Sequence, residues 1–390
     1  MKDQYSRVVI MGNDIDRLGG IGRFMNELAI GFDELGFETH LLGVTPTRES
    51  ERLELKRPQR IQEHVLWPEL APENWSLRTR RHRMNPARVL RYNRRTMLKR
   101  RAVRHLRSLL CNWGPETVII CTQVFGMEHL KEAGFNHHDP RSPRVIGQYH
   151  GSYEMCVETK DLRRIIHGYS EVDRFVTLTE RDSILFRKAQ LHNSTWIPNP
   201  VTVQSTVTPD LIRQNTVVSL GRYNKQKSLD HLLQAWKLIQ DDFPHWRLEL
   251  YGEGEQRNYL QDLIVSESLE NAHLMGLSNS VSEVLERSKI HAMSSQYEGL
   301  PIAIVEAAMS GVPTVSYNCA PGISELIEDE VTGLVVPQNS VASLAAALAR
   351  LMRDDELLGR MSDMGVAKSR EYSRENIMQK WLDLFEDMAL

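Results

Sequence analysis

The stretch Glu298-Gly-Leu-Pro-Ile-Ala-Ile-Val-Glu306 sets two carboxylates eight positions apart, across a loop and the start of an apolar helix. A strand pattern, Ile290-His-Ala-Met293, leads into it. The helix should begin near Pro301, so Glu306 stands under two turns from its start, at ~3.6 residues per turn. Glu306 is flanked by Ile304, Val305, Ala307 and Ala308. A carboxylate among such neighbours is costly without a partner. Strand, tight loop, helix N-terminus and two carboxylates together suit a polyhydroxylated ligand that carries phosphate. The helix end favours the anion, and the carboxylates accept hydrogen bonds from hydroxyls.

Outward from this stretch, apolar strand patterns alternate with helical ones along the whole chain. Arg7-Val-Val-Ile-Met11 opens the series, followed by the glycine loop Gly19-Gly-Ile-Gly22 and an amphipathic helix to about Leu35, with Gly36 as its left-handed stop. Thr39–Gly43, Thr117–Cys121, Arg144–Tyr149 and Arg174–Leu178 are further strands. Near-continuous apolar runs of this kind indicate parallel strands covered on both faces. Ile197-Pro-Asn-Pro200 breaks the pattern, which places a hinge near Pro198–Val201. The alternation then restarts with Thr216–Leu220, Arg247–Tyr251, His273–Met275, Ile290–Ser294, Thr314–Tyr317 and Gly333–Val336. The expected fold class is α/β, with two doubly wound Rossmann-like domains facing a central cleft and ligands at the strand carboxyl ends. The expected bounds are 1–200, 201–373 and a C-terminal helix, 374–390. That helix carries Ile377, Trp381, Leu384, Phe385 and Met388 on one face and should pack back on the first domain.

The 390 residues allow two ordinary domains. No apolar run approaches the ~20 residues that span a bilayer. The polar start, Met1-Lys-Asp-Gln-Tyr-Ser-Arg7, shows no secretory signal. The cysteines, Cys111, Cys121, Cys156 and Cys319, form no C-x-x-C pair. A zinc site or disulfide framework is therefore not expected, and a cytoplasmic location is. The net charge is −3, yet residues 1–200 hold 32 Lys+Arg against 24 Asp+Glu, while residues 201–390 hold 16 against 27. The basic excess lies in residues 78–107, which contain 13 Lys+Arg and no acid. Apolar residues at Val89, Leu90, Met97, Leu98, Val103 and Leu106 give that segment helical spacing with a cationic outer face. Arg91, Arg94, Arg95 and Arg101 are candidates for an anionic acceptor or for the lipid headgroups of a membrane's inner face. No nucleic-acid-binding signature accompanies them.

The motif order resembles retaining glycosyltransferases of family four, which have the two-domain GT-B fold. The elements are Gly19–Gly22, His150-Gly151 after a strand, Gly221-Arg222 with Lys227, Glu298–Glu306, and Gly322-Ile-Ser-Glu325 before Thr332-Gly333. The segments Gln148-Tyr-His-Gly-Ser-Tyr-Glu154 and Val176-Thr-Leu-Thr-Glu-Arg-Asp182 are, more weakly, similar to those of bacterial wall-teichoic-acid glucosyltransferases. The resemblance implies that Arg222 and Lys227 hold a donor diphosphate and neutralise the leaving group, without a cofactor or catalytic metal. It implies Glu306 on the ribose hydroxyls, and Glu298 by the transferred sugar, beside the Gly299, Leu300 and Pro301 backbone. Gly276, Leu277 and Ser278 would frame the base. The Gly19, Gly20 and Ile21 main chain would approach the diphosphate, and His150 would contact the sugar as a catalytic-site residue. Ser228 departs from the glycine that many members carry after the lysine, and it could cap the following helix.

The function expected on this basis is transfer of a hexose, glucose or an N-acetylhexosamine, with retention. The donor would be a nucleotide diphosphate sugar, UDP being commonest in the family. The acceptor would be a hydroxyl on an anionic cell-envelope polymer or a lipid-linked glycan. Two alternatives stay open: a nucleotide-sugar 2-epimerase of the same fold, and a non-catalytic polyanion- or membrane-binding module.

Overall fold

A computed structural model of the protein describes residues 4–17, 19–49, 52, 57–202, 213–278 and 280–389. The chain divides into two compact units. The first comprises Met1–Pro200 with Ile377–Leu390, and the second Val201–Asn376.

The first unit has seven strands: β1 (Arg7–Gly12), β2 (Glu38–Gly43), β3 (Gln62–Val65), β4 (Thr117–Cys121), β5 (Arg144–Gln148), β6 (Arg174–Thr177) and β7 (Ser194–Trp196). They form one sheet in the order β3-β2-β1-β4-β5-β6-β7, and every pairing is parallel. Its helices are α1 (Gly20–Glu34), α2 (Arg80–Arg83), α3 (Pro86–Asn112), α4 (Val124–Ala133), α5 (Tyr153–Glu158), α6 (Leu162–Tyr169) and α7 (Glu180–Lys188). Alternate residues of β1 face opposite cores. Val8 and Ile10 join Phe24, Leu28 and Phe32 of α1, while Val9 and Met11 join Leu98, Leu106 and Met127. All four strand side chains are fully buried. Each such burial stabilises by roughly 1.5–3 kcal/mol, which is why the strands read as continuous apolar runs.

The second unit repeats the plan with β8 (Thr216–Leu220), β9 (Arg247–Tyr251), β10 (Ala272–Gly276), β11 (Ile290–Met293), β12 (Thr314–Tyr317) and β13 (Gly333–Val336). The order is β10-β9-β8-β11-β12-β13, again parallel throughout. Its helices are α8 (Leu229–Lys237), α9 (Arg257–Ser266), α10 (Val281–Arg287), α11 (Ile302–Met309), α12 (Pro321–Leu326), α13 (Val341–Arg353) and α14 (Asp355–Ser369), and α15 (Arg374–Ala389) follows. In each sheet the strand order reverses beside the first strand, between β1 and β4 and between β8 and β11. Loops diverge there at the carboxyl ends and leave room for a ligand.

Two edge strands, β3 and β7, escape the sequence pattern. β3 reads Gln-Glu-His-Val and is largely exposed, and β7 is three residues long. An edge strand needs ladder hydrogen bonds on one side only, so burial does not dictate its composition. The glycine loop is also shorter than expected, because α1 already begins at Gly20. The basic segment is mostly the single helix α3, capped by Asn85, whose Oδ1 accepts from the Arg88 N–H, and started by Pro86. Its buried side is Leu98, Ala102 and Leu106, whereas Leu90 and Met97 are 70% and 62% exposed. The expected apolar stripe is thus corrected: two of its members lie among the outward cations.

The C-terminal helix α15 begins in the second unit and finishes in the first, so the boundary at Ile377 falls inside a continuous helix. From there Ile377, Met378, Trp381, Leu384 and Phe385 are buried with Phe32, Phe37 and Tyr5. Phe385 stacks on Phe32 with ring centroids 5.4 Å apart, and Arg174 pairs with Asp387 at 2.6 Å. A side chain at Gly31 would meet Met378 Sδ at 2.5 Å, so helix and helix touch there through a missing Cβ. Trp381→Ala should therefore destabilise the first unit by about 3–5 kcal/mol, read as a lowered urea midpoint. An unchanged midpoint would mean that α15 is not part of that core.

Candidate functional site

In the second unit the polar residues gather at the carboxyl ends of β8, β9 and β11. The loop after β8, Gly221 to Ser228, is pinned from below. Tyr223 is fully buried, and its hydroxyl donates to the Leu250 carbonyl at 2.6 Å. The Tyr223 N–H donates to the Glu253 carbonyl at 3.0 Å, and the Gln256 N–H to the Tyr223 carbonyl at 2.9 Å. A Cβ at Gly252, where φ is +151°, would stand 1.9 Å from the Gly221 carbonyl oxygen. Only glycine lets the loop after β9 approach this closely.

This packing aims Lys227 along the loop. Its ammonium donates to Glu298 Oε1 at 2.6 Å, and Glu298 as a whole is 8% exposed. Glu298 follows β11, so the pair joins the two loops that flank the switch point. Ser294 strengthens the joint, its hydroxyl lying 3.0 Å from the Lys227 carbonyl and 2.8 Å from the Ser228 carbonyl. Arg222 is exposed, and no ion pair or side-chain hydrogen bond engages it among the described residues. A paired lysine, a nearly buried carboxylate and a free guanidinium can together hold a phosphate and hydroxyls.

The surrounding groups feel the pair and their own burial. Burial, with the nearby Glu298 carboxylate, pushes the Cys319 thiol up to about 12. Burial and the Lys227 charge hold the His291 imidazole down to about 3, so it is neutral beneath the site. Its Nδ1 lies 3.0 Å from Thr314 Oγ1. Neither Cys319 nor His291 was singled out from the sequence, where a lone cysteine and a histidine inside a strand carry no motif.

Ser228 occupies the left-handed region, with φ 42° and ψ 49°. That geometry suits glycine, the residue that the resemblance implies there. Its hydroxyl does not cap α8. Instead Ser228 Oγ donates to the Lys225 carbonyl at 3.1 Å and accepts from Gln296 Nε2 at 2.9 Å. The capping expectation is therefore corrected, since a residue in this conformation turns its side chain toward Gln296.

Pro301 precedes α11, and Glu306 is half-buried and engaged in an interaction. Gly299 and Leu300 pack on Gly322, where a Cβ would stand 2.4 Å from the Gly299 carbonyl oxygen. Gly276 has φ +76° and its carbonyl accepts from the Gly252 N–H at 2.8 Å, which ties the end of β10 to the end of β9. Leu277 is 57% exposed, and Ser278 Oγ donates to the Ser280 carbonyl at 2.9 Å.

The remaining candidates lie in the first unit. Gly19, with φ 137°, precedes α1, whose first turn (Gly20, Ile21) has no side-chain cap. A Cβ at Gly22 would stand 2.2 Å from the Arg17 carbonyl oxygen. His150 follows β5 and meets the Phe24 ring edge to face, with centroids 4.6 Å apart. Its Nε2 is sealed from solvent, and burial holds the imidazole down to about 4. Of the four candidate arginines on α3, Arg91 and Arg101 are exposed and have no ion pair among the described residues. Arg94 is held by Glu69, with Nε–Oε1 at 2.9 Å. Arg95 lies over the Trp75 ring at 3.9 Å, and burial lowers its pKa.

Residues 210–367, most of the second unit, match the family described as glycosyl transferases group 1. A glycosyltransferase of Haemophilus influenzae, itself uncharacterised, is 32% identical over 54% of this chain and 60% of its own length. The poly(ribitol-phosphate) alpha-N-acetylglucosaminyltransferase of Staphylococcus aureus is 26% identical over 58% of this chain and 46% of its own. The chain thus spans about half the length of these curated relatives. The crystal structure of TarM superposes with a TM-score of 0.78 at 15% identity, covering 99% of this chain and 100% of that one. A second TarM structure, of an S. aureus mutant with fondaparinux, alpha-GlcNAc-glycerol and UDP, gives 0.64 at 24% identity over 73% of this chain and 58% of that one. The fold is accordingly GT-B.

The two sealed imidazoles have a consequence for acid stability. His150 and His291 are neutral in the fold, with pKa values of about 4 and about 3, below the ordinary 6.5. The unfolded chain therefore binds more protons between these values and 6.5, and stability falls as pH falls through that window. Each imidazole contributes a slope of about 1.4 kcal/mol per pH unit there. Urea midpoints from pH 7 to pH 4 should decline, and His291→Gln should flatten the decline. An unaltered slope would show that His291 does not titrate on unfolding.

Proposed function

We propose that the chain is a retaining, metal-independent hexosyltransferase that uses a nucleotide diphosphate sugar, with UDP as the nucleotide. The observation that carries this reading is the Lys227–Glu298 pair at 2.6 Å, beside exposed Arg222 at the carboxyl ends of β8 and β11. Arg222 and Lys227 take the diphosphate and offset the negative charge that grows on it as the glycosidic bond breaks. Glu298 accepts hydrogen bonds from the hexose hydroxyls, and Glu306 from the ribose. The loop Gly276 to Ser278 frames the base. Lys227 is then shared between Glu298 and phosphate, so donor binding should loosen the ion pair.

In the proposed reaction the leaving phosphate takes the proton of the acceptor hydroxyl, on the face that the nucleotide leaves. Protein groups hold the partners in position. His150, held neutral by burial, positions the sugar and does not act as a base. The first unit takes the acceptor. Its α3 helix offers Arg91 and Arg101 to an anionic polymer, while Arg94 and Arg95 are already engaged with Glu69 and Trp75 and serve to brace the helix. The name of the S. aureus relative supports a polyol-phosphate polymer as the acceptor to try first.

Nucleotide release from a panel of nucleotide sugars, with and without polyol-phosphate polymer, tests the reading. Slow release from one donor, accelerated by polymer, is the expected result. Arg222→Ala and Lys227→Ala should each lower the rate about 100- to 1,000-fold, as loss of a group that stabilises developing charge does. Full activity in the double variant, or no release from any donor, would overturn the enzyme reading.

A further inference from the structure

We infer that Gln148, with His150 and Asn199, forms a recognition site on the first unit for the hydroxyl groups of a neutral sugar or polyol. Gln148 is the last residue of β5 and is fully buried. Neither its Nε2 nor its Oε1 has a hydrogen-bond partner among the described residues. The main chain of Gln148 is satisfied separately, since its carbonyl accepts from the Tyr169 hydroxyl at 3.1 Å.

The direction of the side chain follows from strand alternation. A Cβ at Gly147 would meet Tyr169 at 2.1 Å, so Gly147 faces the α6 side. Ile146, Gln148 and His150 then face the other side, where Ile146 packs in the same core as Phe24. His150 touches Phe24, with ring centroids 4.6 Å apart. Asn199, 4% exposed, hydrogen-bonds the His150 imidazole. At this strand end both polar atoms of the Gln148 side chain are sealed without a partner, and the His150 imidazole and the Asn199 amide next to it engage each other.

Each such atom costs roughly 1–3 kcal/mol when left without a partner. A methionine or leucine at position 148 would avoid this cost, so the fold alone gives no reason for glutamine. The chemistry of the set selects the ligand. The Gln148 amide brings a donor and an acceptor, and the neutral imidazole one of each, of which Asn199 engages one. The set has no net charge, so an ion gains little from it. A hydroxyl, which donates and accepts at once, matches it. The strand end is also where open parallel sheets bind ligands.

Two sources share this chemistry, the transferred hexose and the acceptor polyol. Naming them rests on the transferase reading above; the site itself does not. The test uses Gln148→Met in the full chain, which keeps the volume and removes both polar atoms. Thermal unfolding should show an equal or higher Tm, while kcat/KM falls about 10- to 100-fold. Donor hydrolysis without acceptor decides the source. If it falls too, the hydroxyls belong to the hexose; if only transfer falls, they belong to the acceptor.

Deoxy analogues supply the readout that a purely structural glutamine would not move. Against the wild type, one deoxy sugar or deoxy polyol should lose at least tenfold, and against Gln148→Met the same analogue should lose nothing. If every analogue is discriminated equally by both proteins, the proposal is overturned, and Gln148 then holds an ordered water only. Arg222→Ala serves as the control, since it should lower the rate for every analogue by the same factor and leave this discrimination pattern unaltered. If the wild type releases no nucleotide, saturation-transfer NMR with glucose and with glycerol takes over. Transfer to either that is lost in Gln148→Met supports the site, and no transfer to either overturns it.

Discussion

The close approach of two loop backbones sets the geometry on which the candidate site depends. Gly252 and Gly254 lack side chains where the Gly221 and Tyr223 carbonyls press against them, and Tyr223 is buried beneath. The β8–α8 loop therefore has one place to go. With that loop fixed, Lys227 meets Glu298 from across the switch point, and Ser294 holds the main chain behind the lysine. The ion pair itself is weak evidence of stability, because a largely buried pair returns little beyond its desolvation cost. Its value lies in orientation: a lysine ammonium on a long flexible stem is held in one place.

The two units handle polarity at their strand ends in different ways. After β8 and β11 the second unit answers charge with charge, Lys227 with Glu298. After β5 the first unit collects neutral groups instead. Gln148, His150 and Asn199 carry no net charge, and burial keeps the imidazole unprotonated. Charged pairs suit a ligand with phosphate, since the cation can change partners without new desolvation. Neutral donors and acceptors suit hydroxyls, whose recognition depends on geometry more than on Coulomb attraction.

Much of this was legible in the residues, and the exceptions have physical causes. Central strands such as Thr216–Leu220 and Thr314–Tyr317 match their sequence limits because both faces are buried and every position must be apolar or small. The edge strands β3 and β7 were not legible, because an edge is stabilised by backbone bonds that any sequence can make. Ser228 reads as a helix cap from composition, yet its left-handed backbone turns the hydroxyl toward Gln296. Arg94 and Arg95 read as surface charge like their neighbours. Their partners, Glu69, Trp67 and Trp75, lie far enough away in sequence that no local pattern joins them. Gln148 was quoted as part of a motif without a role, since only burial without partners distinguishes it from an ordinary strand residue.

The α3 helix shows how the same residue type divides by context. Arg95 is drawn inward by two tryptophans, where cation–π contact offsets part of its desolvation. Arg94 is fixed by the Glu69 carboxylate at the surface, where such a pair adds little stability but does fix direction. Lys99 pairs with Glu132 in the same way. These contacts neutralise the charges nearest to the core and hold the helix down along one side. Arg91, Arg100, Arg101 and Arg104 remain outward, with Leu90 and Met97 among them. Seven residues separate Leu90 from Met97, nearly two full turns, so both project from one side of the helix. Arg101 and Arg104 follow Met97 by four and seven residues and share that side. The surface left over therefore mixes charge with apolar stems.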